Sequence, residues 1–488
     1  MIKTEIAPYK PHDKGPARLH MPTVYGASPD KYMLYAIPAT GKRPLCFAAE
    51  DLPPGLSLDK TNGFLTGIPK AGEYRLKISV SNGEGCDSRE IRFLVKEDGS
   101  GLTPMLGWCS WNAFGRTVSQ QKIEQTADLM VSSGLSSYGY QFVNTDSAWQ
   151  GEYGGKYDAI MSNFKFPDMK AMTDHIHRLG LKAGIYSTPM QKAWGGGELP
   201  GCTRGKIDPK WMDTYYGIGL DHREQACVDQ WTEWGFDYLK YDWSPCDPEN
   251  AERMKDCLRR SERDFQFCVT VSANLRYADY WKKNCNHWRD NSDSRDSWDN
   301  IVWNRFHSDH WAEHVSRGHF FDLDMLECGW ICNHMTGEQW ASRLTEDEQI
   351  TAFTIRAIFP SPIQLSCDLS RLTAFDMALF CNEEVLSVNQ DALGIGAVCV
   401  QEERTRAMDR TEIKHKRIYA KPLEDGSTAI AMFNLGEQDE ILSLPLNSKV
   451  SARDLWAKRE LGAFTEKIAV NIPAHAARLL KLKSADHI

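Results

Sequence analysis

Tyr238-Leu239-Lys240-Tyr241-Asp242 is one of eight short runs that recur between Thr103 and about Gly396, alternating with amphipathic helical stretches. A run this short suits a strand. Strands that alternate with helices pair in parallel through helical crossovers. The other seven runs are 106–111, 141–146, 182–187, 267–272, 287–290, 321–326 and 362–367. In the first crossover, Thr117 and Gln120 read as a capping box ahead of an inward stripe of Ile123, Ala127, Met130 and Val131. Another helix begins near Asp168, carries Met172, Ile176 and Leu179, and stops at Gly180. Eight such units in about 290 residues predict an α/β fold of the (β/α)8 TIM-barrel type. An open doubly wound sheet is the alternative, but no Gly-x-Gly-x-x-Gly follows the first run.

Outside this region the period changes to that of strands. Tyr74, Leu76, Ile78 and Val80 alternate with polar residues, as do Ile91, Phe93 and Val95, and Asn82-Gly83 marks a turn between them. Lys96 to Gly101 reads as a linker. After the barrel, Ile418 and Ala420, then 430–433, flank the Asp425-Gly426 turn, and Ile472 and 479–482 close the chain. The expected organisation is a β domain over 1–98, the barrel over 99–395 and an antiparallel β-sandwich over 396–488.

Composition narrows the function. Lys and Arg number 57 against 66 Asp and Glu, and no basic run could track a phosphate backbone, so no nucleic-acid partner is expected. No stretch has the apolar length of a membrane span. The start, Met1-Ile2-Lys3-Thr4-Glu5, lacks an apolar signal segment. The expected location is cytoplasmic if Met1 is the native start, and periplasmic or secreted if a signal peptide has been removed. The 14 cysteines are scattered with no Cys-x-x-Cys, which does not decide their redox state. Most of the 16 tryptophans should be core, and the rest suit a sugar cleft, where apolar C–H faces pack on flat rings.

Barrel active sites lie at the C-terminal ends of the strands. The polar and aromatic residues expected there are Trp111, Asp146, Tyr186, Lys240, Asp242, Arg289, Asp293, Asp322, Asp324 and Asp368. One carboxylate ending a strand is often a helix N-cap. A ring of them suits glycoside hydrolysis, which needs one carboxyl group to attack and another to protonate the leaving oxygen.

Four motifs carry a family resemblance: Pro104 to Phe114 (PMLGWCSWNAF), Asp237 to Asp242 (DYLKYD), Asn286 to Asp293 (NHWRDNSD) with Asp296-Ser297-Trp298, and Ser387 to Gly394 (SVNQDALG). In order and spacing they resemble glycoside hydrolase family 27, the α-galactosidases and α-N-acetylgalactosaminidases. The resemblance implies a retaining exo-hydrolase with Asp242 as nucleophile and Asp293 as general acid/base, and no cofactor. It further implies that Trp111 is the floor of the sugar site, with Asp146, Tyr186, Lys240, Arg289 and Asp324 around the ring. Lys240 and Asp242, two apart, share one strand face, where an ammonium favours an ionised carboxylate. Asp293 must hold a proton at rest, which requires burial or a nearby negative charge. Separately, Leu52 to Leu58 (LPPGLSL) and Gly63 to Gly67 (GFLTG) resemble the immunoglobulin-like modules of bacterial carbohydrate enzymes.

Two positions depart from the family. Ser147 stands where a second aspartate would grip O4 and O6 of galactose, and Asn274 stands where α-galactosidases place a glutamate near O2. Both remain expected substrate-binding residues, but the identity of the sugar is less firmly implied than retaining hydrolysis. The leading expectation is an α-galactosidase-like enzyme. β-L-Arabinopyranosidase and α-N-acetylgalactosaminidase are alternatives on the same scaffold, and a non-catalytic carbohydrate-binding protein is an alternative of another class. A metal site is not expected: His310 and His314 are one helical turn apart, but Trp311 occupies the glutamate position of the metalloprotease pattern. Gly195-Gly196-Gly197 reads as a flexible loop and candidate lid rather than a phosphate cradle. The oligomeric state is not legible.

Overall fold

The computed structural model describes residues 3–195, 199–406 and 412–484. Gly196 and Gly197 of the expected loop, and Met1 and Ile2, lie outside the described residues.

The eight central strands are β1 (Leu106–Cys109), β2 (Phe142–Thr145), β3 (Lys182–Ser187), β4 (Tyr238–Asp242), β5 (Gln266–Thr270), β6 (His287–Trp288), β7 (Phe320–Phe321) and β8 (Ile363–Leu365). Consecutive strands pair in parallel from β1 to β7, and β8 returns to pair with β1. The ring closes through a parallel bridge between Leu326 and Leu365, with the Leu326 amide donating to the Gln364 carbonyl at 2.8 Å. Each of the eight sequence runs contains or overlaps its strand. The seventh is the shortest match, because regular pairing ends at Phe321 and Asp324 turns the chain with a left-handed φ of 64°. A β-barrel strand is buried on both faces, one toward the barrel centre and one toward the helices. Leu239 and Tyr241 of β4 are accordingly fully buried.

The helix expected near Asp168 spans Met169–Arg178, with the Asp168 carboxylate accepting from the Ala171 amide at 2.9 Å. The first crossover helix corrects the sequence reading. It spans Gln120–Ser132, and its N-cap is Ser119 rather than Thr117. Thr117 belongs to a preceding 3-10 turn and gives its hydroxyl to the Phe114 carbonyl, while extended Val118 separates the turn from the helix. Gln120 therefore cannot complete a box; its side chain bonds Glu124 and the Asp168 amide instead.

The N-terminal β domain is built around the antiparallel pair Gly72–Asn82 and Gly85–Val95, whose inward residues Leu76, Ile78, Val80, Ile91 and Phe93 are buried. It docks at the N-terminal ends of the barrel strands. Tyr25 accepts from Lys182 at the start of β3, Ser28 bonds Asp264 just before β5, and Asp98 pairs with Lys255 at 2.7 Å. That end is opposite the mouth where β4 finishes in Asp242. After the barrel, a six-stranded antiparallel sheet and a two-stranded antiparallel pair form the C-terminal layer. It packs on the helix Glu346–Ile358, where Trp456 donates its indole N–H to Thr354 at 2.9 Å. Eight of the 16 tryptophans are fully buried, so half of the indole surplus fills core.

Candidate active site

Alternation along β4 points Lys240 and Asp242 the same way at the barrel mouth. Asp242 is only 8% exposed. Its Oδ2 accepts the Tyr186 hydroxyl from the end of β3 at 2.9 Å, and its buried Oδ1 has no hydrogen-bond partner among the described residues. Burial is the largest influence on this carboxyl and, with the nearby Asp293 charge adding to it, outweighs Lys240, Arg289 and the Tyr186 hydroxyl. The Asp242 pKa is raised to about 7. This corrects the expected role of Lys240. Its ammonium forms its ion pair with buried Asp146 at 2.8 Å, not with Asp242, and Asp146 also accepts the Cys109 thiol at 3.2 Å. Lys240 thus acts on Asp242 from a distance and does not overcome burial.

Arg289, just past β6, is the second centre. It is buried, and its guanidinium reaches Asp324 at 2.5 Å and Asp293 at 3.0 Å. Burial would raise the Asp324 carboxyl, but Arg289, Lys240 and Arg305, with the Ser294 amide donating at 2.8 Å, hold it well below the usual carboxylate range. Asp324 is itself fixed from behind, because Arg356 donates to the carbonyls of Leu323, Asp324 and Met325. A buried charge so paired keeps its partner in one geometry, since leaving either one alone in the interior is costly. Asp322 accepts from the Asp324 amide at 2.8 Å, and burial raises its carboxyl.

Of the two settings expected for Asp293, burial or a nearby negative charge, it does not have burial. Its side chain is 59% exposed, on the irregular segment between β6 and the helix Trp298–Phe306. The segment has no strand pairing at Asp293, and this side chain faces solvent while its neighbours Ser294 and Asp296 turn inward. The segment is nonetheless anchored. Asp296 accepts from Trp340 at 3.0 Å and from Arg343, and the Asn291 side chain donates to the Asn304 carbonyl at 2.6 Å.

The two departures from the family also have structural uses. Ser147 is buried and gives its hydroxyl to the Trp194 carbonyl. Asn274 is exposed, and its side-chain oxygen caps the turn Leu275–Tyr277 by accepting from the Arg276 amide at 3.0 Å. The structure therefore brings together Asp146, Tyr186, Lys240, Asp242, Arg289, Asp293 and Asp324, while the Ser147 hydroxyl and the Asn274 side-chain oxygen already serve the backbone. Asp368 follows the bland reading: it caps the turn Leu369–Arg371.

Three residues near the site were missed. Trp194 touches the Tyr186 hydroxyl through its backbone. His334 packs its ring on Trp111, with centroids 4.7 Å apart, and shares a hydrogen bond with Asn112 at 2.9 Å. Cys109 reaches Asp146. Cys109 alternates within β1 and was open to a facing argument, whereas His334 arrives on a separate hairpin, Trp330–Cys332 with Gln339–Ala341, and no sequence signal pointed to it. His310 and His314, the histidine pair set aside as a metal site, lie in a 3-10 turn, Asp309–His314, with His310 beside Asp290 and His314 beside Glu313.

The Alpha galactosidase A family model matches residues 103–391, the Alpha galactosidase C-terminal beta sandwich domain matches 414–482, and an Ig domain family matches 16–96. Alpha-galactosidase 2 of Arabidopsis thaliana is 30% identical over 426 residues, which is 84% of this chain and 96% of the relative. A Bacteroides fragilis crystal structure, provisionally assigned as an alpha-galactosidase/melibiase, superposes with a TM-score of 0.83 at 27% identity, covering 97% of this chain and 99% of that one. The GH27 β-L-arabinopyranosidase of Geobacillus stearothermophilus superposes with a TM-score of 0.68 at 26% identity, covering 79% of this chain and 97% of that one. With its barrel, its C-terminal sandwich and its Ig-type domain each matched in order, the chain belongs to glycoside hydrolase family 27, the α-galactosidase family.

Proposed function

We propose that the protein is a retaining exo-glycosidase that releases a terminal α-galactose-like sugar by double displacement, with Asp242 as nucleophile and Asp293 as general acid/base. The observation that carries this reading is the state of Asp242. One oxygen is tied by Tyr186, and the other has no partner among the described residues and lies within the field of Arg289 and Asp293. In the first step Asp242 Oδ1 bonds to the anomeric carbon while the glycosidic C–O bond breaks and Asp293 gives its proton to the leaving oxygen. In the second, Asp293 takes a proton from water, the water oxygen bonds to the same carbon, and the ester to Asp242 breaks. Asp146 and Lys240, paired at 2.8 Å, supply an acceptor and a donor for sugar hydroxyls, and Trp111 a flat apolar face.

In the free enzyme, burial favours the protonated form of Asp242. A bound sugar sets a partly positive anomeric carbon against Asp242, which lowers its carboxyl again. The expected pH profile follows in sign. Asp242 must be ionised to attack, and its value is raised to about 7, so kcat/KM should fall as pH drops below that value. The acid limb of kcat, which reports the complex, should lie lower. A kcat/KM that stays flat down to pH 5 would count against Asp242 as the titrating nucleophile. Retention itself is tested by NMR soon after mixing with a nitrophenyl α-galactoside: the first sugar released should carry the substrate's anomeric configuration. An inverted first product would replace this mechanism with single displacement.

A second reading is release of β-L-arabinopyranose, a galactose-like sugar without the C6 hydroxymethyl group. Ser147 favours it, because its hydroxyl is committed to the Trp194 carbonyl and leaves O6 without the family's second carboxylate. The Geobacillus relative carries that activity in name. A panel of nitrophenyl glycosides separates the two readings by relative kcat/KM.

A further inference from the structure

We propose that Trp194, Tyr215 and Tyr216 form an aromatic platform for the leaving-group sugar, the pyranose attached to the one that Asp242 attacks; this rests on the reading of the site given above. The platform is joined to the reacting carboxylate by a short chain of contacts. The Trp194 backbone meets the Tyr186 hydroxyl, which donates to Asp242, and the Trp194 carbonyl accepts the Ser147 hydroxyl. Next to it, Gly195 leaves no spare room: a Cβ there would stand 3.0 Å from Ser147 Oγ and 3.2 Å from the Trp111 ring. With its left-handed φ of 117°, Gly195 lets the backbone pass close over the floor of the sugar site.

From that backbone the Trp194 indole enters an aromatic cluster. It stacks on Tyr215 at 5.2 Å with 23° between the planes and tilts against Tyr216 at 5.1 Å, while Tyr215 and Tyr216 meet edge to face at 4.6 Å. Tyr215 is 76% exposed even though Trp194 covers part of it. A large ring held in place by aromatic neighbours yet open to water has lost its freedom without gaining burial. That is the condition in which a sugar's apolar C–H face finds a pre-organised partner. The exposure extends to Met212, 67% exposed and three residues earlier. The occupant is a pyranose rather than a protein surface because of continuity: the cluster begins one side chain away from the residues that hold the reacting sugar. An exo-acting enzyme must place the ring on the other side of the scissile bond just outside that pocket.

Ser147 thereby acquires a role as a positioning residue. It holds the platform's backbone in place of gripping sugar.

The test compares two substrates of the purified full chain. Galactosyl-α-1,6-glucose has a pyranose leaving group, and α-galactosyl fluoride has none. For Tyr215→Ala, the loss of kcat/KM on the disaccharide should exceed the loss on the fluoride by about five- to tenfold, mostly through KM. Tyr215→Phe, which keeps the ring, should bring the ratio back toward that of the wild type. Equal effects on both substrates, or none on either, would overturn the platform while leaving Asp242 and Asp293 in their roles. A folded wild type that hydrolyses neither compound would overturn the galactosidase reading of the site, and the platform with it.

Discussion

Asp242→Ala should reduce turnover on the order of 10^4- to 10^6-fold, as removal of a nucleophile that acts as a unit with its partners does. Oδ1 of Asp242 is buried, within the field of Arg289 and, among the described residues, without a hydrogen-bond partner, so it is open to the anomeric carbon. The variant should fold. The folded-state value of Asp242, about 7, lies above its ordinary 3.8, so whatever stability the group contributes at low pH is lost as pH rises through about 7. At neutral pH, then, the alanine removes a burden rather than a support. Azide, small and anionic, should enter the space left by the carboxylate and partly restore cleavage. It would attack from the nucleophile's side and give a glycosyl azide of inverted configuration. A well-folded Asp242→Ala protein with near-normal activity, or an azide adduct of retained configuration, would remove Asp242 from the nucleophile's role.

The second large effect concerns Asp293, and its signature is selectivity rather than size alone. Asp293→Ala should cost about 10^2- to 10^4-fold on a glycoside with a sugar leaving group, which needs a proton to depart. On a glycoside of an activated phenol, whose oxygen leaves without help, formation of the glycosyl ester should slow by less than about tenfold, so that hydrolysis of the ester limits the rate. An initial burst of phenol should therefore appear in the variant. Azide should accelerate this second step and yield a product of retained configuration, opposite to that expected from Asp242→Ala. The two variants thus check each other. Equal losses on both leaving groups would show that Asp293 holds the site together through Arg289, 3.0 Å away, and does not donate the proton.

Much of this architecture was legible before any coordinates. The run ending in Asp242 and its seven counterparts announce themselves because a parallel strand inside a barrel must be apolar on both faces. The period of two around Leu76, Ile78 and Val80 likewise reflects a sheet with one wet face, and these residues are buried as that period requires. The motifs around Asp242 and Asp293, and the matched facing of Lys240 and Asp242, were likewise local properties of short segments. Local pattern was less secure where two cap residues stood near one another. Thr117 and Ser119 both precede a helix, and only the extended Val118 between them decides in favour of Ser119.

Sequence by itself therefore determined the barrel, its flanking β layers and the carboxylates gathered at one mouth, because hydrophobic period and strand-end chemistry are written within ten or so residues of chain. Only the tertiary structure decided how the charges are shared. The ammonium of Lys240 was free in sequence to serve Asp242, but Asp146, 94 positions earlier, takes it at 2.8 Å. Arg289 is divided between Asp293 and Asp324, and Ser147 is turned to the Trp194 carbonyl. His334 is laid on Trp111 from more than 200 positions away. The cause is common to all four. Whether a carboxylate is paired, protonated or open to a sugar depends on distances of about 3 Å between chain-distant groups and on the water excluded around them. Residue order carries neither quantity until the chain has folded.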